Sequence, residues 1–314
     1  MRILMYGNFS VDYTSENHHA KTLESMGHTV TRLQENTVRT DQVVFHSRRC
    51  DVFIWIHSHG FVNRGTYSMT RVLNDMKRRG IVTLGYHLDL YMGLKRWEEY
   101  ENSEYFKVEH FFTVDKLMAD WLNENTQTKG HYLMAGVYAP ECYLGTKRDD
   151  LAKDVIFTGS KGYHQEWPFR PQLIDFLHNT YGDRFEHWGG DGRGIIRGSD
   201  LNDLYASSKI LVGDTLNIGF NYPYYSSDRF FEATGRGAFV IYPKIEGFAP
   251  DYIDGVHVVY YKHGDLQDLR EKIDYYLEHD DEREKIRLAG QELTKSKHTY
   301  TQRWQEILDT VVSK

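Results

Sequence analysis

Two consecutive α/β domains, each built on a parallel sheet, are what this 314-residue sequence predicts. Three observations carry that reading. Short apolar runs alternate with helical patterns, the way βαβ units are written. The alternation breaks down over residues 138–150, a passage of turn formers and charge, and restarts at Asp154-Val-Ile-Phe-Thr-Gly159. The length, finally, allows each half a core of its own.

The first half opens with an apolar strand at 3–6, followed by a helix at 16–26 that Gly27 stops. Strands are expected at 28–33, 51–57 and 81–86, with a helix at 68–79 before the last. A strand at 110–114, a helix at 116–124 and a short strand at 131–134 complete this half. In the second half, strands are expected at 154–159, 184–188, 210–213, 238–242 and 257–261. Helices are expected at 171–181, 200–207, 266–279, 282–296 and 300–313. No tract of low complexity and no sequence repeat interrupts them.

Composition bounds the function. The chain is 40% hydrophobic and 26% charged, with a net charge of −7, so no whole-protein basic field exists of the kind duplex binders use. A local basic patch remains possible around Arg64 and Arg71 or Lys77-Arg-Arg79. Cys50 and Cys142 make no disulfide framework, and reduced thiols in a cytoplasmic compartment are the expectation. The N-terminus reads as a strand rather than a signal peptide, and no apolar run approaches the roughly 18 residues that span a bilayer. Aromatics reach 14%, including 23 tyrosines, a composition seen where sugars or bases stack, although aromatics mostly fill cores.

The richest segment is Ser226-Ser-Asp-Arg-Phe-Phe-Glu-Ala-Thr-Gly-Arg-Gly-Ala-Phe-Val-Ile-Tyr242. It reads as a loop, a helical turn carrying Arg229 and Glu232, a Gly-Arg-Gly break and a strand. Free N–H groups at a helix start, here around Ser227, suit a phosphate, and Arg229 would add charge-assisted bonds. Glu232, one turn on, is the type of acceptor that holds two ribose hydroxyls. An ordinary Arg–Glu pair at i, i+3 is the competing reading.

With these segments placed, the chain resembles the GT-B glycosyltransferases of group 1 (family 4-like), and within them the CgeB-like branch. The resemblance rests on motifs in order over some 250 residues. They are Asp51-Val-Phe-Ile-Trp-Ile-His57-Ser-His59-Gly, the strand ending Tyr-His87-Leu-Asp89, Phe111–Leu122, Ala135-Gly-Val-Tyr-Ala-Pro-Glu-Cys-Tyr143, Val155-Ile-Phe-Thr-Gly-Ser, Arg229–Val240 and Gly264-Asp-Leu-Gln-Asp-Leu. It implies two Rossmann-like domains facing a cleft: an acceptor-side domain at 1–140, a donor domain at 151–297, and a helix at 298–314 packing back on the first. It also implies a nucleotide-diphosphate sugar as donor, no cofactor, and an acceptor that is a glycan, a small molecule, a protein or a hydroxylated DNA base. The family's paired glutamates are incomplete here: Glu232 matches the second, and Tyr224 stands at the first.

On the donor side the resemblance implies Gly159 and Ser160 at the diphosphate or sugar. Lys161 and Arg170 stand near that loop, where solvated surface charges are the alternative. Trp188 and Gly189 follow a strand end where a base could stack, unless Trp188 is a core residue. On the acceptor side the loop at Gly7 and Asn8 shapes the site, and Asp89 or His59 deprotonates or orients the acceptor, with His57 and His87 beside them. Metal competes, since His57-x-His59 with His87 and Asp89 has ligand-like composition; a metal-dependent hydrolase is that reading. The chain holds no Asp-x-Asp pair, which fits transfer without a metal. A degenerate transferase with a binding or assembly role is the remaining alternative.

Overall fold

A computed structural model describes residues 1–56, 64–90, 92–100, 102–162 and 164–312. The contacts divide the chain into two units, Met1–Met134 with Tyr300–Lys314, and Ala135–Thr299.

The first unit has a six-stranded sheet in the order β2-β1-β3-β4-β5-β6. Its strands are β1 (Arg2–Gly7), β2 (Thr29–Gln34), β3 (Val52–Trp55), β4 (Val82–His87), β5 (His110–Thr113) and β6 (Lys129–Tyr132). Every pairing is parallel. The central strands β3 and β5 are buried along their whole length, as strands covered on both faces must be. Helices α1 (Ser15–Ser25), α2 (Thr40–Ser47), α3 (Met69–Arg78), α4 (Trp97–Tyr100) and α5 (Lys116–Asn125) belong to this unit. Ser68 and Asp115 cap α3 and α5 by accepting from Arg71 and Leu117 N–H groups.

The sequence pattern misses the single turn of α4 and, more consequentially, helix α2. Its Val43-Val-Phe45 run has no helical period; Gln42 Oε1 accepts from the Arg39 N–H at 3.0 Å, and buried Thr40 ties the helix to the Tyr67 carbonyl at 2.8 Å.

The second unit has a five-stranded parallel sheet in the order β11-β10-β9-β7-β8. Its strands are β7 (Val155–Thr158), β8 (Phe185–Trp188), β9 (Ile210–Val212), β10 (Val240–Pro243) and β11 (Val259–Tyr261), with α6 (Phe169–Tyr181), α7 (Gly198–Ser207), α8 (Arg229–Gly235), α9 (Leu266–Glu278) and α10 (Asp280–Lys297) around them.

Helix α11 (Tyr300–Val312) joins the first unit. Trp304, fully buried, donates to His19 Nδ1 of α1 at 3.1 Å, and Arg303 Nε donates to the Met134 carbonyl at 2.8 Å. The His19 ring packs 4.0 Å from Tyr300, and burial pushes its pKa down to about 3.

Candidate active site

In an open parallel sheet, ligands bind beyond the carboxyl ends of the strands where the strand order reverses. In the second unit the reversal falls between β7 and β9. The loops leaving those strands are Gly159-Ser-Lys-Gly162 and Gly213-Asp-Thr215.

Asp214 dominates this place. Its side chain is fully buried, and one oxygen accepts from Trp167 Nε1 and Arg170 Nε, both at 2.9 Å. The His263 ring, after β11, stands 3.9 Å from the other oxygen. Arg170 is thereby held beside the β7 loop, its Nη1 3.4 Å from the Ser160 carbonyl. Arg170 was predicted from the sequence; Asp214 and His263 were not, because Val-Gly-Asp after a short strand reads as an ordinary turn.

Gly159 has φ of +138°, and its carbonyl would lie 2.3 Å from a Cβ at Gly189, so both loops need glycine for their backbones to meet. The N–H groups of Lys161 and Gly162 bind Asp191 at 2.9–3.2 Å. Burial works against the charge on Asp191, but these N–H bonds hold its pKa below the ordinary carboxylate value. Lys161 Nζ pairs with Asp175.

Trp188 does not offer an open face on both sides: the Arg193 guanidinium lies 4.7 Å from its ring centroid. Its indole N–H is buried without a hydrogen-bond partner.

Arg229 and Glu232 meet at 2.6 Å, so the i, i+3 ion pair exists. It is also more than that. Arg229 lies within the electrostatic reach of buried Tyr205, whose hydroxyl is 3.2 Å from Thr158 Oγ1 at the end of β7. This chain of contacts brings Arg229 to the same strand end as Gly159. Glu232, and with it Tyr205, raises the Arg229 pKa despite burial. The other Glu232 oxygen faces Arg236 at 3.7 Å. Arg236, which the sequence showed only as a Gly-Arg-Gly break, is 2% exposed and bridges Glu141, Asn202 and the Gly198 carbonyl. A carboxylate has about four lone-pair positions, so Glu232 retains acceptor capacity.

The expected phosphate site at the start of α8 is not provided as drawn. The helix is seven residues long, and the Ser227 N–H already donates to Thr215 Oγ1 at 3.2 Å. Tyr224 adopts φ of +58°, with its ring against Gly247.

In the first unit the strand order reverses between β1 and β3. Gly7 leaves β1 there: an added Cβ would meet the Ile56 carbonyl at 2.7 Å and Glu16 Cγ at 3.2 Å. Asn8 Oδ1 accepts from Ser10 and Gln34. Glu16, which the sequence did not flag, is 7% exposed; burial lifts its pKa to about 7, with Glu35 and Asp89 adding repulsion. Asp89 is half-buried just beyond β4. His87 is 2% exposed, its ring packed by Tyr105 and Phe111, which makes it part of the core wall rather than an acceptor contact. His57 and His59 lie outside the described residues. Among the described residues no group of three His, Cys, Asp or Glu side chains could hold a metal.

A family model described as glycosyl transferase-like matches residues 170–309. No curated protein sequence matches the chain. Solved structures do. An α-glucosyltransferase in complex with UDP-glucose and DNA containing an abasic site aligns with TM-score 0.70 at 11% identity, covering 99% of each chain. HepE of Anabaena, in complex with UDP and glucose, aligns with TM-score 0.67 at 11% identity, covering 99% of this chain and all of that one. A glycosyltransferase of Rickettsia africae aligns with TM-score 0.61 at 14% identity over 99% and 98% of the two chains. The chain has the GT-B glycosyltransferase fold, and its residues 170–309 carry the sequence pattern of the glycosyl transferase-like family.

Proposed function

We propose that the second unit binds a nucleotide-diphosphate sugar and that the chain transfers its sugar to an acceptor hydroxyl. The observation that carries this reading is Arg170, fixed by fully buried Asp214 at the β7–β9 reversal, inside the stretch that matches the family. Arg229 reaches the same strand end through Tyr205. Two positioned guanidiniums suit the charge that grows on a departing diphosphate, a stabilisation that costs little reorganisation when the groups are pre-set. Glu232 is assigned the donor ribose, and Gly159, Ser160 and Gly189 the close backbone approach. The similar structures that contain UDP or UDP-glucose support the donor class.

On the acceptor side Asp89 and His59 keep their assigned roles, and Gly7 and Asn8 shape the loop. Glu16 joins them, because a carboxyl titrating near neutrality can accept a proton at working pH. Transfer is assigned no metal and no cofactor. The CgeB-like affinity rests on the sequence motifs, and cytoplasmic residence on two free cysteines. No described helix is long and apolar enough to cross a membrane.

The test is a thermal-shift screen against UDP, GDP, ADP, CDP and dTDP and their sugar conjugates, with and without EDTA. A ligand at a hundredfold excess over its Kd stabilises by about 2.7 kcal/mol, a shift of several degrees. A shift with one nucleotide that survives EDTA supports the reading and names the base. Loss of the shift in EDTA favours the metal-dependent alternative. One observation favours a degenerate binding protein: Lys161, Arg170 and Arg229 each already hold a carboxylate. Nucleotide-sugar binding without turnover on any acceptor would decide for it.

A further inference from the structure

The first unit carries a basic groove that donor chemistry does not use. Helix α3 sets Arg71, Asp75, Arg78 and Arg79 at i, i+4, i+7 and i+8, a single stripe, while Met69, Leu73 and Met76 are buried. Helix α2 hands on to Arg48. A groove of about 300 Å³ runs between them, lined by Val44, Arg48, Tyr67 and the α3 stripe.

Four guanidiniums stand here against one carboxylate, an excess of three positive charges on a chain whose net charge is −7. Asp75 serves both Arg78 and Arg79, at 3.3 and 2.8 Å. The guanidiniums are also oriented. Arg79 donates to Ser47 Oγ at 2.7 Å, and Arg71 lies 4.7 Å over the Tyr67 ring. Exposed Arg49 follows Arg48 directly. Like charges brought together in this way repel one another, and the single Asp75 carboxylate offsets only one of the four.

We propose that this groove docks the phosphate backbone of a nucleic-acid duplex. Arginine forks match phosphate oxygens bidentately, and oriented forks lose less freedom on binding than free lysines. From Arg71 to Arg78 the stripe spans about 10 Å of helix, and Arg48 faces it, so about four phosphate contacts are within reach. A concave seat between two helices fits a charged rod; a bilayer surface is planar and would take protruding apolar side chains. The inference stands apart from the donor reading, and either can fail alone.

The test is fluorescence anisotropy with a labelled DNA duplex of arbitrary sequence. Four contacts predict that Kd rises about fifty-fold between 50 and 150 mM salt. The triple variant Arg48→Glu, Arg71→Glu, Arg78→Glu should bind at least about tenfold more weakly, with a cooperative melt and a far-UV circular dichroism spectrum like the parent's to show that it folds. Lys285→Glu, exposed on the other unit, should bind as the parent does. Three results would each overturn the proposal: no binding at 50 mM salt, equal binding by the triple variant, or binding to phosphatidylserine vesicles but not to the duplex.

Discussion

The two sheet reversals, β1–β3 and β7–β9, are the same topological device with opposite electrostatics. The second unit sets arginine against carboxylate there: Arg170 with buried Asp214, and Arg229 with partly buried Glu232. The first sets carboxyls together, Glu16 beside Glu35 and Asp89, and lets burial keep a proton on one of them. The difference teaches that topology chooses the place while a few side chains choose the chemistry. One end is prepared to hold negative charge, the other to take a proton.

The largest effect expected from breaking this contrast is on stability. Asp214→Ala takes the partner from partly buried Arg170 and from the indole N–H of buried Trp167, and should cost about 2–4 kcal/mol, read by denaturant unfolding. A loss below 1 kcal/mol would show that Asp214 does not anchor the site.

Next come two buried groups of the first unit that titrate against each other. His19, lowered from its ordinary 6.5 to about 3, leaves the folded state with fewer bound protons, so stability rises with pH between those values. Glu16, raised from 4.5 to about 7, does the reverse, and stability falls as pH rises through that range. Between pH 4.5 and 6.5 the two slopes oppose, and the parent should be nearly flat. His19→Gln should decline with pH across this window by about 2–3 kcal/mol, and Glu16→Gln should climb by a similar amount. Parallel curves for all three proteins would refute the assignment.

Activity separates the two ends. Glu16→Gln should lower kcat by about a hundredfold or more and remove the limb of the pH profile near 7, with nucleotide affinity unchanged. Arg229→Ala should instead weaken nucleotide binding by about ten- to a hundredfold, measured by calorimetry. The smallest effect belongs to Lys161→Ala. Its pair with Asp175 is largely exposed, so stability should move by no more than about 0.5 kcal/mol.

Most of the fold was legible because buried parallel strands are apolar runs and their helices alternate with them. Helix α2 was not, since Val43, Val44 and Phe45 are adjacent and its start is fixed by hydrogen bonds of Arg39, Thr40 and Gln42. The site was legible only in part. Arg229 and Glu232 carry charge on a recognisable motif, and the sequence marks Arg170 only as a cation near the β7 loop. Asp214, Arg236 and Glu16 act through burial, which a single sequence does not display. His87 shows the converse: a polar residue at a strand end that the core takes in. Nothing in the sequence announces that Asp191, some thirty residues on, would take the Lys161 and Gly162 N–H groups of the β7 loop.

Trp304 has a consequence for synthesis. Residues 135–299 form a continuous unit and can fold as they leave the ribosome. The first 134 residues emerge earlier but lack α11, whose Trp304 ring closes over His19. Their sheet therefore waits, with the α1 face that carries His19, Ala20 and Leu23 uncovered, until residues 300–312 have been made. Chains stalled before residue 300 should be the form that chaperones hold and proteases cut, and the cuts should fall in the part translated first.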